Sequence, residues 1–453
     1  MNSFSIQSFG CRVNQAEAFS WAEEFQRRGL RYRRDHLRSD LILVNTCTVT
    51  SKADRDVRNF IRRMHRENPE ARLVVTGCFA ARSAEELRAL PGVWQVISNL
   101  DKESLPERIL SQPPQATGVI SRPFRSRALV KIQDGCDFGC TFCVVPSVRG
   151  KSVSVAMPDI LSDVRRMIDQ GFKEVVLAGV HLILYGRDRD PQLSFRDLLQ
   201  EISAIPRLHR LRLSSLDPRF MDEGLLEHLV TDPKICAHFH LSLQHGADRI
   251  IARMGRRIKA ADYMHILERL RRGLPRAALG CDIIVGFPGE TERDFRSMVA
   301  FLKASPLSYF HVFSYSPRPG TPAARWEQVQ PERKKARAKE LRDLARQKNL
   351  EFRREFIGRK AEALVITKAL DGSARVLTDN YIDVALPGCR VPEKESVEIR
   401  IIHVEERNTF GLESEREHHE PHAPHVDSAA GNGGGRLARG SSGSGQDRDG
   451  QAG

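Results

Sequence analysis

Three cysteines, Cys136, Cys140 and Cys143, lie within eight residues in the segment DGCDFGCTFCVVPSVRG. A C-x3-C-x2-C spacing on a glycine-containing loop turns three thiolates toward one ion or cluster. A structural zinc ion takes four protein ligands, and no fourth Cys or His lies nearby in the sequence to close this loop. A cubane [4Fe-4S] cluster on three thiolates keeps one iron open. That iron would hold the amino and carboxylate groups of S-adenosylmethionine. An electron from the reduced cluster would split the sulfonium and yield a 5′-deoxyadenosyl radical. The rival reading is a zinc loop with a remote fourth ligand.

Three further cysteines, Cys11, Cys47 and Cys78, sit in FGCRVNQ, NTCTVT and TGCFA. Each is isolated, yet each follows a predicted strand within two or three residues. Carboxyl ends of parallel strands share one edge of a sheet, where such sheets bind ligands. One cysteine of this kind reads as a small apolar core residue; three at equivalent strand ends would converge. Cys236, Cys281 and Cys389 have no comparable partners and read as ordinary buried cysteines. The histidines of EHHEPHAPH (417–425) read as part of a solvated tail.

The elements around these residues alternate. Strands are predicted at 4–8, 40–44, 72–76 and 94–97, with helices at 15–26, 53–67 and from Ala84. This predicts a flavodoxin-like parallel sheet with helices on both faces over residues 1–110. Residues 111–127 hold several prolines and little periodicity and read as a linker. Strands then recur near 128–133, 174–178, 208–213, 238–243, 279–284 and 308–313, with helices between them. Six strand–helix repeats suggest a partial (β/α)6 barrel, with the cysteine loop at its active, carboxyl end. The barrel domain is assigned to 128–345. The stretch 331–360 carries twelve Lys or Arg against five Asp or Glu. Alternating segments up to about 404 (AEALVIT, ARVLTD, YIDVAL, SVEIRIIHV) read as a small antiparallel β module. The basic helix end and this module span 346–405, and a Gly, Ser, His and Arg-rich tail, 413–453, is too polar to fold.

The 453 residues, 40% apolar, are ample for several globular cores. No eighteen-residue apolar window and no signal-peptide pattern is present, so the expected setting is the cytoplasm, without a membrane. Disulfides are not expected there. A formal charge of +13 favours a polyanionic partner, nucleic acid first.

These motifs, taken together over about residues 3–405, resemble the radical S-adenosylmethionine methylthiotransferases. The order of parts is similar: an N-terminal three-cysteine domain, a radical barrel and a TRAM-like β module. GCRVNQAE, NTCTVTSKA, DIIVGFPGETERDF, FSYSPRPGTPAA and LTDNYIDVALPG look like the branch acting on N6-threonylcarbamoyladenosine in tRNA. The resemblance implies two [4Fe-4S] clusters, one on Cys11, Cys47 and Cys78. It implies sulfur insertion at C2 of adenosine 37 in the tRNA anticodon arm, then methylation, with an unidentified electron donor and sulfur source. The alternatives are the same chemistry on N6-isopentenyladenosine 37 or on a ribosomal-protein aspartate. It further implies S-adenosylmethionine contacts from Phe142, Gly179, Ser214, Ser215, Asp217, Gln244 and Asp282. The basic helix and β module would supply the RNA surface.

Overall fold

The computed structural model describes residues 1–99, 101–110 and 125–414. Most of the expected linker and all of the expected tail after Ser414 lie outside them, as do the tail histidines.

The N-terminal sheet has the order β2-β1-β3-β4-β5, all parallel. Its strands are β1 (Ser3–Ser8), β2 (Arg31–Tyr32), β3 (Leu41–Thr46), β4 (Arg72–Gly77) and β5 (Val93–Val96). Every residue of β3 is buried, as a strand covered by helices on both faces requires. Those helices are α1 (Arg12–Arg27), α2 (Ser51–Glu67), α3 (Cys78–Arg82) and α4 (Ala84–Arg88), followed by α5 (Leu105–Ile109). Thr50 caps α2 by accepting from the Ala53 amide.

The central sheet begins with β6 (Ala128–Lys131). A short antiparallel pair, β7 (Gln133–Asp134) with β8 (Val153–Ser154), then brackets the cysteine loop and α6 (Val145–Arg149). The remaining strands are β9 (Glu174–Ala178), β10 (Arg210–Leu213), β11 (His238–His240), β12 (Ala278–Val285) and β13 (Tyr309–Ser314). They form two parallel three-stranded sheets, β6-β9-β10 and β11-β12-β13. Isolated parallel bridges at Leu211–Ile235 and Leu216–Leu241 join the halves. No pairing closes β13 onto β6 among the described residues, so the barrel is partial. Helices α7 (Met157–Asp169), α8 (Phe195–Ser203), α9 (Glu223–Thr231), α10 (Asp248–Arg253), α11 (Ala260–Gly273) and α12 (Glu292–Ala304) cover its outside. Capping boxes at Ser194/Asp197 and Thr291/Asp294 start α8 and α12.

Successive strand residues face opposite sides of a sheet. In β10, Leu211 and Leu213 join the outer apolar core, whereas Arg210 and Arg212 turn inward. The inner face is therefore polar. Arg212 bonds Glu174 (Nε–Oε1 2.7 Å), and both are fully buried. It also donates to the carbonyls of Asp379 (2.8 Å) and Thr378 (3.2 Å), while Arg210 donates to that of Glu362 (2.8 Å). These bonds fasten the C-terminal module to the barrel.

That module follows α13 (Pro331–Arg354). It is a closed barrel of order β14-β15-β16-β18-β17. The strands are β14 (Lys360–Lys368), β15 (Ala374–Thr378), β16 (Asp383–Leu386), β17 (Ser396–Val404) and β18 (Thr409–Glu413). Its pairing is antiparallel except for one parallel bridge between Ala385 and Phe410. The last strand runs past the expected limit at 405 and takes in Glu413, the first residue of the expected tail. Its sequence, TFGLE, is short and holds a glycine, so its alternation is faint. Among the described residues, no helix is long and apolar enough to cross a membrane.

Replacing Glu174 with Gln should destabilise the fold by about 3–5 kcal/mol, because Arg212 then stays buried without a countercharge. A lower urea midpoint would show it. The double change Glu174→Leu with Arg212→Leu should recover part of the loss, and an equal or larger loss would contradict the ion-pair account.

Candidate functional site

Cys47 and Cys78 directly follow β3 and β4, and Cys11 follows β1 after Phe9 and Gly10. These three strands are adjacent in the sheet, so their carboxyl ends bring the three thiols to one edge. Side chains in the flanking motifs stitch that edge. Asn14 donates to the carbonyls of Phe9 (2.8 Å) and Thr46 (3.0 Å), and Asn45 donates to that of Asn14 (3.0 Å). The Thr46 hydroxyl donates to Thr76 O (2.6 Å) and accepts from the amides of Phe79 and Ala80. Gly10 is required by close approach: at φ +94°, a Cβ there would lie 2.7 Å from Cys47 Sγ.

Burial pushes the Cys47 thiol up to about 12, with the neighbouring thiols Cys11 and Cys78 adding to it. Burial also raises Cys78, against the pull of Arg149. In the second set, burial raises Cys136 and pushes Cys143 up to about 12, and the nearby Cys140 reinforces both. Such thiols ionise readily only when a cation replaces their protons. The loop carrying them is pinned. The Cys136 amide donates to Gly150 O (3.1 Å), the Thr141 amide to Met254 O (3.0 Å) and the Cys143 amide to Cys140 O (3.0 Å). Cys11, Cys47 and Cys78 line one cavity, and Cys136, Cys140 and Cys143 lie close enough to feel one another's charge; soft sulfur donors so grouped fit an iron–sulfur cluster.

The two trios are linked by Arg149. It lies on α6, just after the Cys136–Cys143 loop, yet its Nε donates to Cys78 Sγ at 3.2 Å. Its Nη1 pairs with Glu17 (3.0 Å) and Asp134 (2.7 Å). Lys102 pairs with the same two carboxylates, at 2.8 and 2.5 Å. Two cations thus balance two carboxylates in a buried array. Burial alone would raise the Glu17 pKa, but Arg149, Lys102 and Lys131 outweigh it and hold it near 2.

A cavity of about 1150 Å³ opens between the three modules. Cys11, Cys47 and Cys78 line it, with Gly179, Ser214, Ser215, His240, Asp282, Tyr309 and Tyr381. A smaller pocket of about 240 Å³ is lined by Phe142, Cys143, Gln244 and Asp282. Val49, Val145 and Asp282 border both. Of the residues predicted to touch the cofactor, Phe142 and Gln244 face the small pocket, Gly179, Ser214 and Ser215 the large one, and Asp282 both. Asp217 lines neither. Its carboxylate is held by Arg219 (2.7 Å), Arg256 (3.1 Å) and His181 (3.2 Å). Burial would raise its pKa, but these partners keep it well below the usual carboxylate range.

Inward-facing rings form one wall of the large cavity. His238 stacks on Tyr381 (4.2 Å, 16°) and bonds the Tyr309 hydroxyl (2.7 Å). His240, Asp282 and His311 bring their polar atoms within 4.8 Å of one another. Gly280 makes the wall possible: a Cβ there would lie 2.0 Å from the Tyr309 ring. Sequence reading singled out none of Arg149, His238, His240, His311 or Tyr309; they lie in strands or on helices, where nothing local marks them.

The expected RNA helix α13 serves two ends. Arg337 is buried against Glu290 (2.6 Å), and Arg353 caps carbonyls of the C-terminal module. Arg333, Lys335, Lys339, Arg342, Arg346 and Arg354 stay exposed.

Residues 3–98 match the uncharacterized protein family UPF0004, and residues 130–302 match the radical SAM superfamily. The chain is 32% identical over 415 residues to the threonylcarbamoyladenosine tRNA methylthiotransferase MtaB of Thermotoga maritima, covering 88% of this chain and 95% of that one. The MtaB of Aquifex aeolicus is 37% identical, covering 85% and 96%. The tRNA-2-methylthio-N(6)-dimethylallyladenosine synthase of Aquifex aeolicus is 33% identical, covering 80% and 87%. Among solved structures, the radical S-adenosylmethionine methyltransferase TsrM of Kitasatospora setae shares the fold, with a TM-score of 0.53 and 15% identity over 72% of this chain and 77% of that one. The chain belongs to the radical SAM tRNA methylthiotransferase family.

Glu17→Gln gives a pH test of the buried array. Because the folded carboxyl titrates near 2 rather than 4.5, its contribution is complete above pH 4.5 and is lost as pH falls through about 2. In cluster-free protein, the stability gap between wild type and Glu17→Gln should be widest near neutrality and shrink as pH falls below 4.5. A constant gap would place the effect elsewhere.

Proposed function

We propose that this member of the methylthiotransferase family inserts sulfur at C2 of N6-threonylcarbamoyladenosine 37 in tRNA and methylates that sulfur. The product is 2-methylthio-N6-threonylcarbamoyladenosine. The observation that carries this reading is that Cys11, Cys47 and Cys78 line the large cavity while Cys143 of the second trio lines the adjoining pocket, with Arg149 reaching from the second trio's loop to Cys78. Cys136, Cys140 and Cys143 would hold the cluster that binds S-adenosylmethionine, and Cys11, Cys47 and Cys78 a second [4Fe-4S] cluster. With these groups bound, the site gains a one-electron route to an aromatic C–H bond that no general base reaches near pH 7, together with sulfur and methyl sources.

The chain's own residues position and enclose. Phe142, Gln244 and Asp282 line the small pocket on the side of Cys143 and would seat the cofactor. Gly179, Ser214 and Ser215 line the large cavity and would lie between that cofactor and the substrate. Asp217 acts by orienting Arg219 and Arg256. The exposed cations of α13 would neutralise phosphates of the anticodon arm. A loop nucleotide leaves its stack at low cost and would enter the large cavity between the modules. An external electron donor and sulfur source would complete the system, and the cytoplasm, where tRNA is modified, is its setting.

Anaerobic reconstitution should give about eight iron atoms per chain, and about four in the Cys136→Ala, Cys140→Ala, Cys143→Ala triple variant. Four in the wild type would remove the second cluster. Deleting the gene should abolish the methylthio derivative of threonylcarbamoyladenosine in cellular tRNA, read by nucleoside mass spectrometry. If that nucleoside persists while the methylthio-isopentenyl nucleoside or the ribosomal-protein mark vanishes, the substrate is one of those instead.

A further inference from the structure

Beside the second thiol trio, the large cavity has a strongly cationic corner. Arg12, the residue after Cys11, donates to the hydroxyl of Tyr381, 369 positions away. Its one other bond is to Gln15 Oε1 (3.3 Å). Among the described residues, no carboxylate lies within ion-pair distance of Arg12, although Arg127 and Arg212 both pair with Glu174. Three guanidinium groups surround the Tyr381 ring: Arg212 at 5.0 Å from its centroid, and Arg12 and Arg127 at 5.8 Å.

Tyr381 is placed there deliberately by the chain. It sits in the turn between β15 and β16 with φ +66°, an uncommon conformation for a bulky residue. The turn carries it out of its own module onto His238 of the central barrel. Burial would raise its hydroxyl pKa, but Arg12, Arg127 and Arg212 outweigh this and lower it. The phenol oxygen accepts from Arg12, so its own hydrogen is left to donate. The corner thus offers a guanidinium without a counterion, a phenolic donor and the first turn of α1, where amide groups favour negative charge. All three suit an anion.

We propose that Arg12 and Tyr381 bind the free carboxylate of the threonylcarbamoyl group and so select this substrate over an all-hydrocarbon N6 substituent. The inference rests on the substrate reading above. The threonyl arm ends in a carboxylate where the isopentenyl arm ends in methyl groups, and of their polar differences, which include a ureido link and a hydroxyl, that charge is the one a guanidinium reads most strongly. A planar guanidinium engages a carboxylate through two parallel hydrogen bonds, which an ester or a methyl group does not reproduce. The adenine would lie along the ring wall of His238 and Tyr309, with its C2 edge toward the thiols and its N6 arm toward the cationic corner.

The test uses the reconstituted holoenzyme and three anticodon stem-loops, carrying threonylcarbamoyladenosine, its methyl ester or isopentenyladenosine. Kd and steady-state constants are measured for each. Wild type should bind the acid about 10- to 100-fold more tightly than the ester. Arg12→Gln should remove that preference, raising Kd and KM for the acid and leaving those for the ester nearly unchanged. Arg12→Lys should restore part of it, and Tyr381→Phe should weaken the acid by a smaller factor. Iron content is measured for every variant. Equal losses for acid and ester would overturn the proposal, assigning Arg12 to an RNA phosphate. Loss of iron in Arg12→Gln together with an unchanged preference in Tyr381→Phe would overturn it in favour of a cluster-supporting role. Should wild type convert only the isopentenyl stem-loop, the substrate reading itself fails; should it convert acid and ester equally well, only this inference does.

Discussion

The buried guanidinium of Arg149 is the constraint on which the arrangement depends. It belongs to the barrel by sequence and to the N-terminal module by contact. A charge removed from water must be met by partners, or the structure opens to hydrate it. Here Glu17 and Asp134 meet it, and Lys102 balances the surplus. Glu17 and Lys102 belong to one module and Asp134 and Arg149 to the next; each module holds one pair of its own, and the crossed pairs, Arg149 to Glu17 and Lys102 to Asp134, tie the two together. Fixing those modules fixes Cys78 against the loop that follows Cys143. A second buried pair, Arg318 with Asp54 (2.6 Å), also joins the N-terminal module to the barrel.

The barrel interior follows from the same logic. An ordinary parallel barrel fills its centre with branched apolar side chains. This one places Glu174, Arg212, His238 and Tyr309 there and sends its apolar residues outward to the helices. The result is a polar wall on the cavity of about 1150 Å³. The C-terminal module closes one end of it through backbone carbonyls offered to Arg210 and Arg212.

Much of this is legible in the sequence. Period-two and period-3.6 patterns marked the main sheets and helices, and the six cysteines stood out because each was tied to a strand end or to a short spacing. What escaped was long-range. Arg149 lies inside the motif that was read for its cysteines, but its partner Glu17 is 132 residues away. LTDNYIDVALPG was conspicuous as a motif, yet nothing local shows that Tyr381 leaves its own barrel for another. Asp217 is one of the cofactor contacts that the resemblance implies, and nothing local shows that its carboxylate is held by Arg219 and Arg256, of which Arg256 reaches it only through tertiary folding.

The bond between Arg12 and Tyr381 spans nearly the whole folded chain. During synthesis the N-terminal module emerges first, and domains emerging early fold early. The strands that carry its thiol trio are therefore synthesised long before the turn bearing Tyr381. Until then the cavity lacks one wall, and its cationic corner faces solvent. A chain cut short before β15 keeps the six cysteines of the two trios but lacks Tyr381 and the wall it forms. The binding chamber is thus closed by residues from both ends of the folded chain.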